Sequence, residues 1–354
     1  MKKIHSSLLY VAAGLLLVGC AQAIEESTNE ADKRYFDAWI SLNAPDIKPE
    51  GLGVYVLNES EGNGVEVTAD GYALVDYVAS DLEGNISSYT GSETAKQLGT
   101  YVETSYYGPQ FWLTTDGTLQ AGILDAVKGM KVGGSKKIII PSWLMSYATY
   151  KTGAEYLAHT SNSANAIYEF TVKDFTKDVN QWQADSIVRF FSNPDVKVAG
   201  KPAKEIFVKD GATMTMADTL QAGFFYKQLS APIDTTTFKQ DTTVYINYVG
   251  KLLNGLVFDT NIKRVAQDNG LYSPSKTYGP SKITWGENFS AITMGSGSSV
   301  ISGFALTLWQ MRAMEKGVGV FWSPLGYSYS GSGSSIPGYA PLIFEIELVA
   351  EPED

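Results

Sequence analysis

Side chains that ordinarily carry out acid–base or nucleophilic chemistry are scarce in this sequence. It contains one cysteine, Cys20, and two histidines, His5 and His159. A Cys–His nucleophile, a CxxC redox pair or a Cys/His zinc site each needs residues that the chain lacks, and a disulfide needs a second cysteine. A Ser-His-Asp triad could use only His159, which has no suggested Ser or Asp partner and is expected to be exposed to solvent. A carboxylate-only site stays open, as does chemistry that needs no titrating group.

The single cysteine ends a segment that is typical of an export signal. Residues 1–19 begin with a basic stretch and continue as the apolar run LLYVAAGLLLVG, which is too short to span a bilayer convincingly. The sequence LVGC resembles the cleavage box of bacterial lipoproteins, and an ordinary secretory signal is the alternative. We therefore expect a lipid on Cys20, a short tether after it, and a location in the bacterial cell envelope, at the outer membrane or the periplasmic face.

The net negative charge of the chain argues against two classes of binding partner. Its 354 residues carry a formal net charge of −11, which disfavours binding to nucleic acid and electrostatic attachment to anionic lipid. Beyond Cys20 there is no second apolar run of eighteen residues, so the remainder is expected to be soluble. We predict no cofactor and no metal.

Short strands separated by turn residues dominate the pattern. Apolar or alternating segments of strand length lie at 53–57, 72–79, 136–141, 166–172, 223–229, 243–250, 317–324 and 341–350. Helical spacing is rarer and predicts one helix face formed by Tyr35, Phe36, Trp39 and Ile40. Further helices are predicted over 181–191, 122–130 and 303–311.

The two halves of the chain repeat one order of parts. Each half has a first strand, a tyrosine-bearing strand, a turn, a long variable stretch, a short helix, an apolar strand and a last strand. The interval along the chain from Tyr77 to Tyr248 nearly equals the interval from Tyr168 to Phe344. A repeat of this kind indicates a duplicated domain.

Four segments of the second half, in order, resemble the FKBP-type peptidyl-prolyl isomerases over about residues 205–350: NYVGKLLNGLVFDTN (247–261), VISGFALTLWQM (300–311), SPLGYS (323–328) and IPGYAPLIFEIEL (336–348). The resemblance implies an α+β fold with two FKBP-like domains. Each would be a small antiparallel β-sheet wrapped around one short helix, with an extra helix before each domain. The limits that we predict are a signal peptide (1–19), a tether and N-terminal helix (20–45), a degenerate domain (46–178), a linker helix (179–204) and an isomerase domain (205–354).

By the same resemblance, the second domain has an apolar pocket between sheet and helix. The implied pocket residues are Tyr248, Phe258, Asp259, Val300, Ile301, Phe304, Tyr327, Ile336 and Phe344. The backbone N–H of Ile301 and the hydroxyl of Tyr327 would donate hydrogen bonds to the substrate, and Asp259 would lie near the Tyr248 hydroxyl. A carboxylate directly after Phe258 in an apolar context needs such a partner.

The second half also departs from the family pattern. Phe304 stands where the family usually keeps a tryptophan, which implies a slightly larger pocket, and Ser328 stands where the family has glycine. The connection 262–290 is longer than usual and is expected to cover part of the pocket. It contains Phe289, our candidate for the remaining aromatic wall.

The first half departs from the family pattern at the positions that would form the pocket. Counted from its turn glycine, Ser87 and Ser88 replace the Phe-Asp pair, Leu119-Gln120 replaces Val-Ile, and Ile123 replaces the floor aromatic. Tyr77, Tyr147 and Tyr168 persist. We expect an FKBP-like domain with little or no isomerase activity.

These features predict a prolyl isomerase or folding helper that acts on X-Pro segments of exported or unfolded proteins. Rotation about an X-Pro bond needs no proton transfer, which suits a chain poor in acid–base groups. The alternative is an envelope lipoprotein that uses FKBP-like domains to bind peptides or partner proteins without catalysis. Glycan binding by exposed Tyr and Trp rests on composition alone.

Overall fold

The computed structural model of the protein describes residues 28–160 and 163–353. The predicted signal peptide and Cys20 lie outside the described residues. In the described part of the chain, no helix combines the length and hydropathy that a membrane span requires. The helices are α1 (Thr28–Asn43), α2 (Ser92–Gln97), α3 (Ala121–Val127), α4 (Gly153–His159), α5 (Val179–Phe191), α6 (Ala203–Ile206), α7 (Lys263–Asp268) and α8 (Ser302–Gln310).

Strands fall into two main groups. Those of the first half are β1 (Pro49–Glu50), β2 (Val54–Ser60), β3 (Tyr72–Ser80), β4 (Ile86–Tyr89), β5 (Gln110–Leu113), β6 (Ser135–Ile140) and β7 (Ala166–Thr176). Between the groups lie four two-residue strands, β8 (Lys197–Val198), β9 (Lys201–Pro202), β10 (Val208–Lys209) and β11 (Ala212–Thr213). The second group is β12 (Phe224–Ser230), β13 (Thr243–Leu252), β14 (Val257–Thr260), β15 (Ser281–Thr284), β16 (Thr293–Met294), β17 (Ser298–Ser299), β18 (Lys316–Phe321) and β19 (Leu342–Val349).

The two large sheets have the same topology. The first runs β1-β2-β6-β7-β3-β4, with β5 also paired to β3. The second runs β12-β18-β19-β13-β15-β16-β17, with β14 also paired to β13. All pairs are antiparallel, and a central strand in each sheet carries Tyr77 or Tyr248. The chain is therefore an α+β protein built from two domains of one topology, with the helices α1 and α5 ahead of them.

The register of the sheets fixes which residues correspond. Gly250 lies opposite both Asp259 and Phe344, whereas Ala79 lies opposite both Ser88 and Tyr168. Ser88 thus occupies the place of Asp259 in the first domain. The predicted domain limits stay a prediction.

The connection 262–290, which the sequence predicts to be longer than the family's usual one, belongs to the duplication. Helix α7 follows α2 by the same interval along the chain that separates Tyr248 from Tyr77. In each copy a tyrosine pair stacks, Tyr101 on Tyr107 with ring centroids 5.3 Å apart and Tyr272 on Tyr278 at 5.6 Å. The second tyrosine of each pair also accepts a backbone N–H at 3.0 Å. Both domains therefore carry the same additional helix and tyrosine turn.

Successive residues of a strand face opposite sides of a sheet, and the second sheet is covered on both. Phe224 and Phe344 pack on the α8 side, whereas Phe225 and Ile343 pack on the side covered by α5. The predicted face of α1 is wrong in one residue. Phe36 is 1% exposed but Tyr35 is 52% exposed, because its hydroxyl donates to Glu83 at the surface.

Candidate active site

Two neighbouring strands of the second sheet bring Tyr248 and Asp259 together. The Tyr248 hydroxyl donates to Asp259 Oδ2 at 2.7 Å, and its ring is buried among the core residues of the domain. Burial raises the pKa of Tyr248, and the adjacent Asp259 carboxylate raises it further. Tyr248 therefore stays protonated near neutral pH and acts as a fixed donor to the carboxylate.

A buried asparagine, which the sequence reasoning missed, holds this strand pair in register. Asn261 Oδ1 accepts the backbone N–H of Tyr248 at 2.8 Å, and Asn261 Nδ2 donates to the carbonyl of Ile246 at 2.8 Å. The same amide donates to Ser281 Oγ at 3.0 Å. Because Asn261 is 3% exposed and fully bonded, it fixes the backbone from which Tyr248 projects. The sequence feature that could have indicated this role is the position of Asn261, two residues after Asp259.

The Tyr248 ring belongs to a cluster of four aromatic rings. The ring of Phe344 contacts Phe258 at 5.6 Å, Phe304 at 5.0 Å and Tyr248 at 6.3 Å between centroids. Phe304 also meets Tyr248 edge-on at 5.7 Å. A Cβ on Gly250 would come within 2.7 Å of the Phe258 ring, so that ring lies directly on the strand backbone. Aromatic pairs of this kind contribute about 0.5–1.5 kcal/mol beyond the area that they bury.

Helix α8 closes the floor of the site. Phe304 is 3% exposed and lies one turn into the helix, after the half-buried Val300 and Ile301. The approach of the helix depends on Gly303, because a Cβ there would stand 2.3 Å from the Phe321 ring. Among the described residues, the backbone N–H of Ile301 has no hydrogen-bond acceptor within the protein. It is thus available to a bound carbonyl group.

The loop after β18 brings a second tyrosine near Asp259. Tyr327 is half-buried, and burial followed by the Asp259 charge raises its pKa. Both tyrosine hydroxyls of the site therefore lie in the field of one carboxylate. Ile336, further along this loop, is 5% exposed and packs with the pocket aromatics in the second core.

The connection 262–290 reaches the site through a residue that the sequence reasoning missed. Lys276 Nζ lies 2.7 Å from Asp259 Oδ1, so the carboxylate is shared between a lysine and a tyrosine. Phe289 lies in a short 3-10 turn and packs against the second core. That core also contains Tyr248, Phe304 and Phe344, and the assignment of Phe289 as an aromatic wall stays a prediction.

The corresponding residue pair of the first domain carries no charge. The Tyr77 hydroxyl lies 3.0 Å from Ser88 Oγ, which repeats the Tyr248–Asp259 contact without a charge. Trp112 is 8% exposed and packs against the tyrosine strand, with its ring 5.4 Å from Tyr77 and 6.4 Å from Tyr168. Tyr147, counted from the sequence among the surviving pocket residues, is 56% exposed. His159 is exposed, as expected, and stacks on Tyr150.

Comparison with known proteins places the chain in a family. The family model described as FKBP-type peptidyl-prolyl cis-trans isomerase matches residues 234–349. FK506-binding protein 2 of Dictyostelium discoideum is 30% identical over 133 residues, which cover 38% of this chain and 80% of that protein. A probable FKBP-type peptidyl-prolyl cis-trans isomerase of Haemophilus influenzae is 30% identical over 131 residues, or 37% of this chain and 44% of that protein. The match thus spans less than half the length of the Haemophilus protein.

The solved structures that resemble the chain have lower sequence identities than these two relatives. The three FKBP domains of wheat FKBP73 are 15% identical, with 85% of this chain and 95% of that chain covered and a TM-score of 0.27. A peptidyl-prolyl cis-trans isomerase of Pseudomonas syringae pv. tomato is 22% identical, with 49% and 92% covered and a TM-score of 0.29. By the sequence matches, the chain belongs to the FKBP-type peptidyl-prolyl cis-trans isomerase family.

Proposed function

We propose that the second domain catalyses cis–trans isomerisation of X-Pro bonds in exported or unfolded proteins. The observation that carries this proposal is the cluster of aromatic rings at the Tyr248–Asp259 pair, in the half that the family model matches. The pocket residues proposed from the sequence, from Tyr248 to Phe344, would bind the proline ring. The amide N–H of Ile301 and the Tyr327 hydroxyl would hold the flanking carbonyls.

Such a pocket suits the barrier of the reaction. Rotation about the peptide bond faces about 18–20 kcal/mol because resonance keeps the amide planar. The twisted amide has less charge separation than the planar one, so a pocket poor in water favours the transition state. No proton needs to move, and Tyr248 and Asp259 serve to orient the walls rather than to transfer charge.

Asp259→Ser, which copies the serine of the first domain, tests the proposal in the full chain. The substitution leaves the Tyr248 hydroxyl and Lys276 without their charged partner, and hydrogen bonds to charged groups contribute about 1.5–3 kcal/mol. We expect kcat/KM for an X-Pro test peptide to fall about tenfold, since each 1.36 kcal/mol changes a rate tenfold. Ser88→Ala is the matched control and should leave the rate unchanged. A wild-type chain that does not accelerate the test peptide would refute the proposal.

We further propose that the first domain is not an isomerase. What supports this is Trp112, a larger side chain at the register position that Ile283 holds in the second domain, and Ser88, which lacks the charge of Asp259. Those two features favour a role in binding or positioning. For this half of the chain we therefore propose the alternative function, which is to bind peptides or partner proteins without catalysis.

Location is a separate proposal. We infer from residues 1–20 that the protein is anchored in the bacterial cell envelope through a lipid on Cys20. Because Cys20 is the only cysteine of the chain, metabolic labelling with an alkyne fatty acid reads this site without ambiguity. We expect label in the wild type and in the membrane fraction, and neither with Cys20→Ser. Label that persists in Cys20→Ser, or a wild type without label, would contradict the anchor.

A further inference from the structure

The loop 328–341 carries Ile336 of the candidate pocket and contains an unusual backbone conformation. Tyr339 has a φ of +62°, in the left-handed region that favours glycine and that a bulky aromatic residue rarely adopts. Its N–H donates to the carbonyl of Ser328 at 2.9 Å and so closes the loop. A conformation of this kind persists only where its surroundings hold it.

Those surroundings belong to the first domain. The Tyr339 ring lies edge-on between two aromatic residues of that domain, 5.4 Å from Tyr72 and 5.6 Å from Phe111 between centroids. Tyr72 and Phe111 also contact each other at 6.3 Å, and Phe111 is braced by Trp182 of the linker helix at 4.9 Å. Tyr72 is the first residue of β3, the strand that carries Tyr77.

A second contact fixes the outer part of the same loop. The backbone N–H of Tyr106 donates to the carbonyl of Ser334 at 2.8 Å, and the hydroxyls of Ser105 and Ser334 lie 3.0 Å apart. Tyr106 packs against the core of the second domain, and burial raises its pKa to about 12. The two contacts hold the loop on either side of Ile336, at Ser334 two residues before it and at Tyr339 three residues after it.

We propose that the first domain positions the active site of the second, by clamping Tyr339 between Tyr72 and Phe111 and by binding Ser334 through Ser105 and Tyr106. This inference rests on the proposed isomerase function. The four first-domain residues do not reach the reacting bond, and they act through the loop that carries Ile336. The duplicated domain would thereby have lost its own pocket and kept a role in shaping the other one.

The variant Tyr339→Gly, made in the full chain, removes the ring that the first domain contacts but lets the loop keep its backbone conformation. Glycine accepts a positive φ without strain, so folding is preserved while the ring that the first domain grips is lost. We expect KM for a prolyl peptide to rise about fivefold with kcat unchanged, the low end of measured coupling between sites. Amide hydrogen exchange within 328–341 should accelerate as well. Tyr339→Phe keeps the ring and should restore both values.

Two further variants complete the test. Tyr72→Ala removes the clamp from the first domain alone and should raise KM in the same way, which a purely local effect in the second domain would not produce. Met314→Gly is the matched control, because Met314 also has a positive φ of +59° but lies outside the loop. Wild-type KM and exchange rates in Tyr339→Gly, with an active wild type, would overturn the clamp and leave the isomerase function intact. An inactive wild type would refute the function, and the exchange rates would still decide the clamp.

Discussion

Phe258→Ala is expected to lower kcat/KM of the full chain for an X-Pro peptide by about 10- to 150-fold. The ring of Phe258 lies over Gly250 and meets Phe344 edge-on. Because Gly250 has no side chain, no group on the strand beneath can take the place of the lost ring. Burying an aromatic surface of this size contributes about 1.5–3 kcal/mol, and each 1.36 kcal/mol corresponds to a factor of ten. A progress curve of the cis-to-trans conversion of a test peptide measures the effect.

The control for this substitution is Phe238→Ala. Phe238 is also a half-buried phenylalanine of the second domain, but it packs on Trp285, with ring centroids 4.7 Å apart, and contacts no pocket aromatic within the described residues. It should therefore leave kcat/KM within about twofold of the wild type, which is less than about 0.5 kcal/mol. Equal losses in both variants would mean that Phe258 acts through stability alone, and the pocket assignment would then fail.

Much of the fold could be predicted from the sequence because it is local in origin. Strand-length apolar runs such as 243–250 and 341–350 lie within one or two residues of the observed strands. The duplication is visible in the sequence from the common order of parts and from two nearly equal intervals, Tyr77 to Tyr248 and Tyr168 to Phe344. Its extent was underestimated, although the Tyr-Gly-Pro sequence occurs at both 107–109 and 278–280, at the same offset as Tyr77 and Tyr248.

Some features of the site follow only from three-dimensional packing. Gly250 is required because the Phe258 ring lies on it, and the first domain, with Ser87 in place of that ring, has Ala79 at the matching position. Lys276 lies 17 positions after Asp259, beyond helix α7, and reaches it only because the intervening chain folds back. Tyr72 meets Tyr339 through the packing of two domains. Periodicity and motif spacing carry no information on contacts of these kinds.

Lys251→Met is expected to have the largest effect on stability. On the face of β13 opposite the pocket, Lys251 Nζ lies 2.6 Å from Glu345 Oε1, and the two side chains are only 14% and 9% exposed. Lys251 also donates to the carbonyl of Lys197 at 3.2 Å. Removing one partner of a buried ion pair leaves the other charge without compensation, which costs about 3–5 kcal/mol. Because the pair faces away from Phe304, kcat/KM should stay unchanged under conditions where the domain is folded.

The double variant Lys251→Met/Glu345→Leu distinguishes the cost of an orphaned charge from the value of the pair. Apolar replacement of both partners is often neutral, so most of the lost free energy of unfolding should return. Arg264→Met is the control, because Arg264 and Asp268 are 89% and 65% exposed and such pairs contribute at most about 1 kcal/mol. Denaturant-dependent hydrogen exchange of β13 and β19 amides measures the second domain separately from the first. If Lys251→Met shifts that free energy by no more than the control does, solvent already compensates Glu345, and the pair contributes only to the register of the strands.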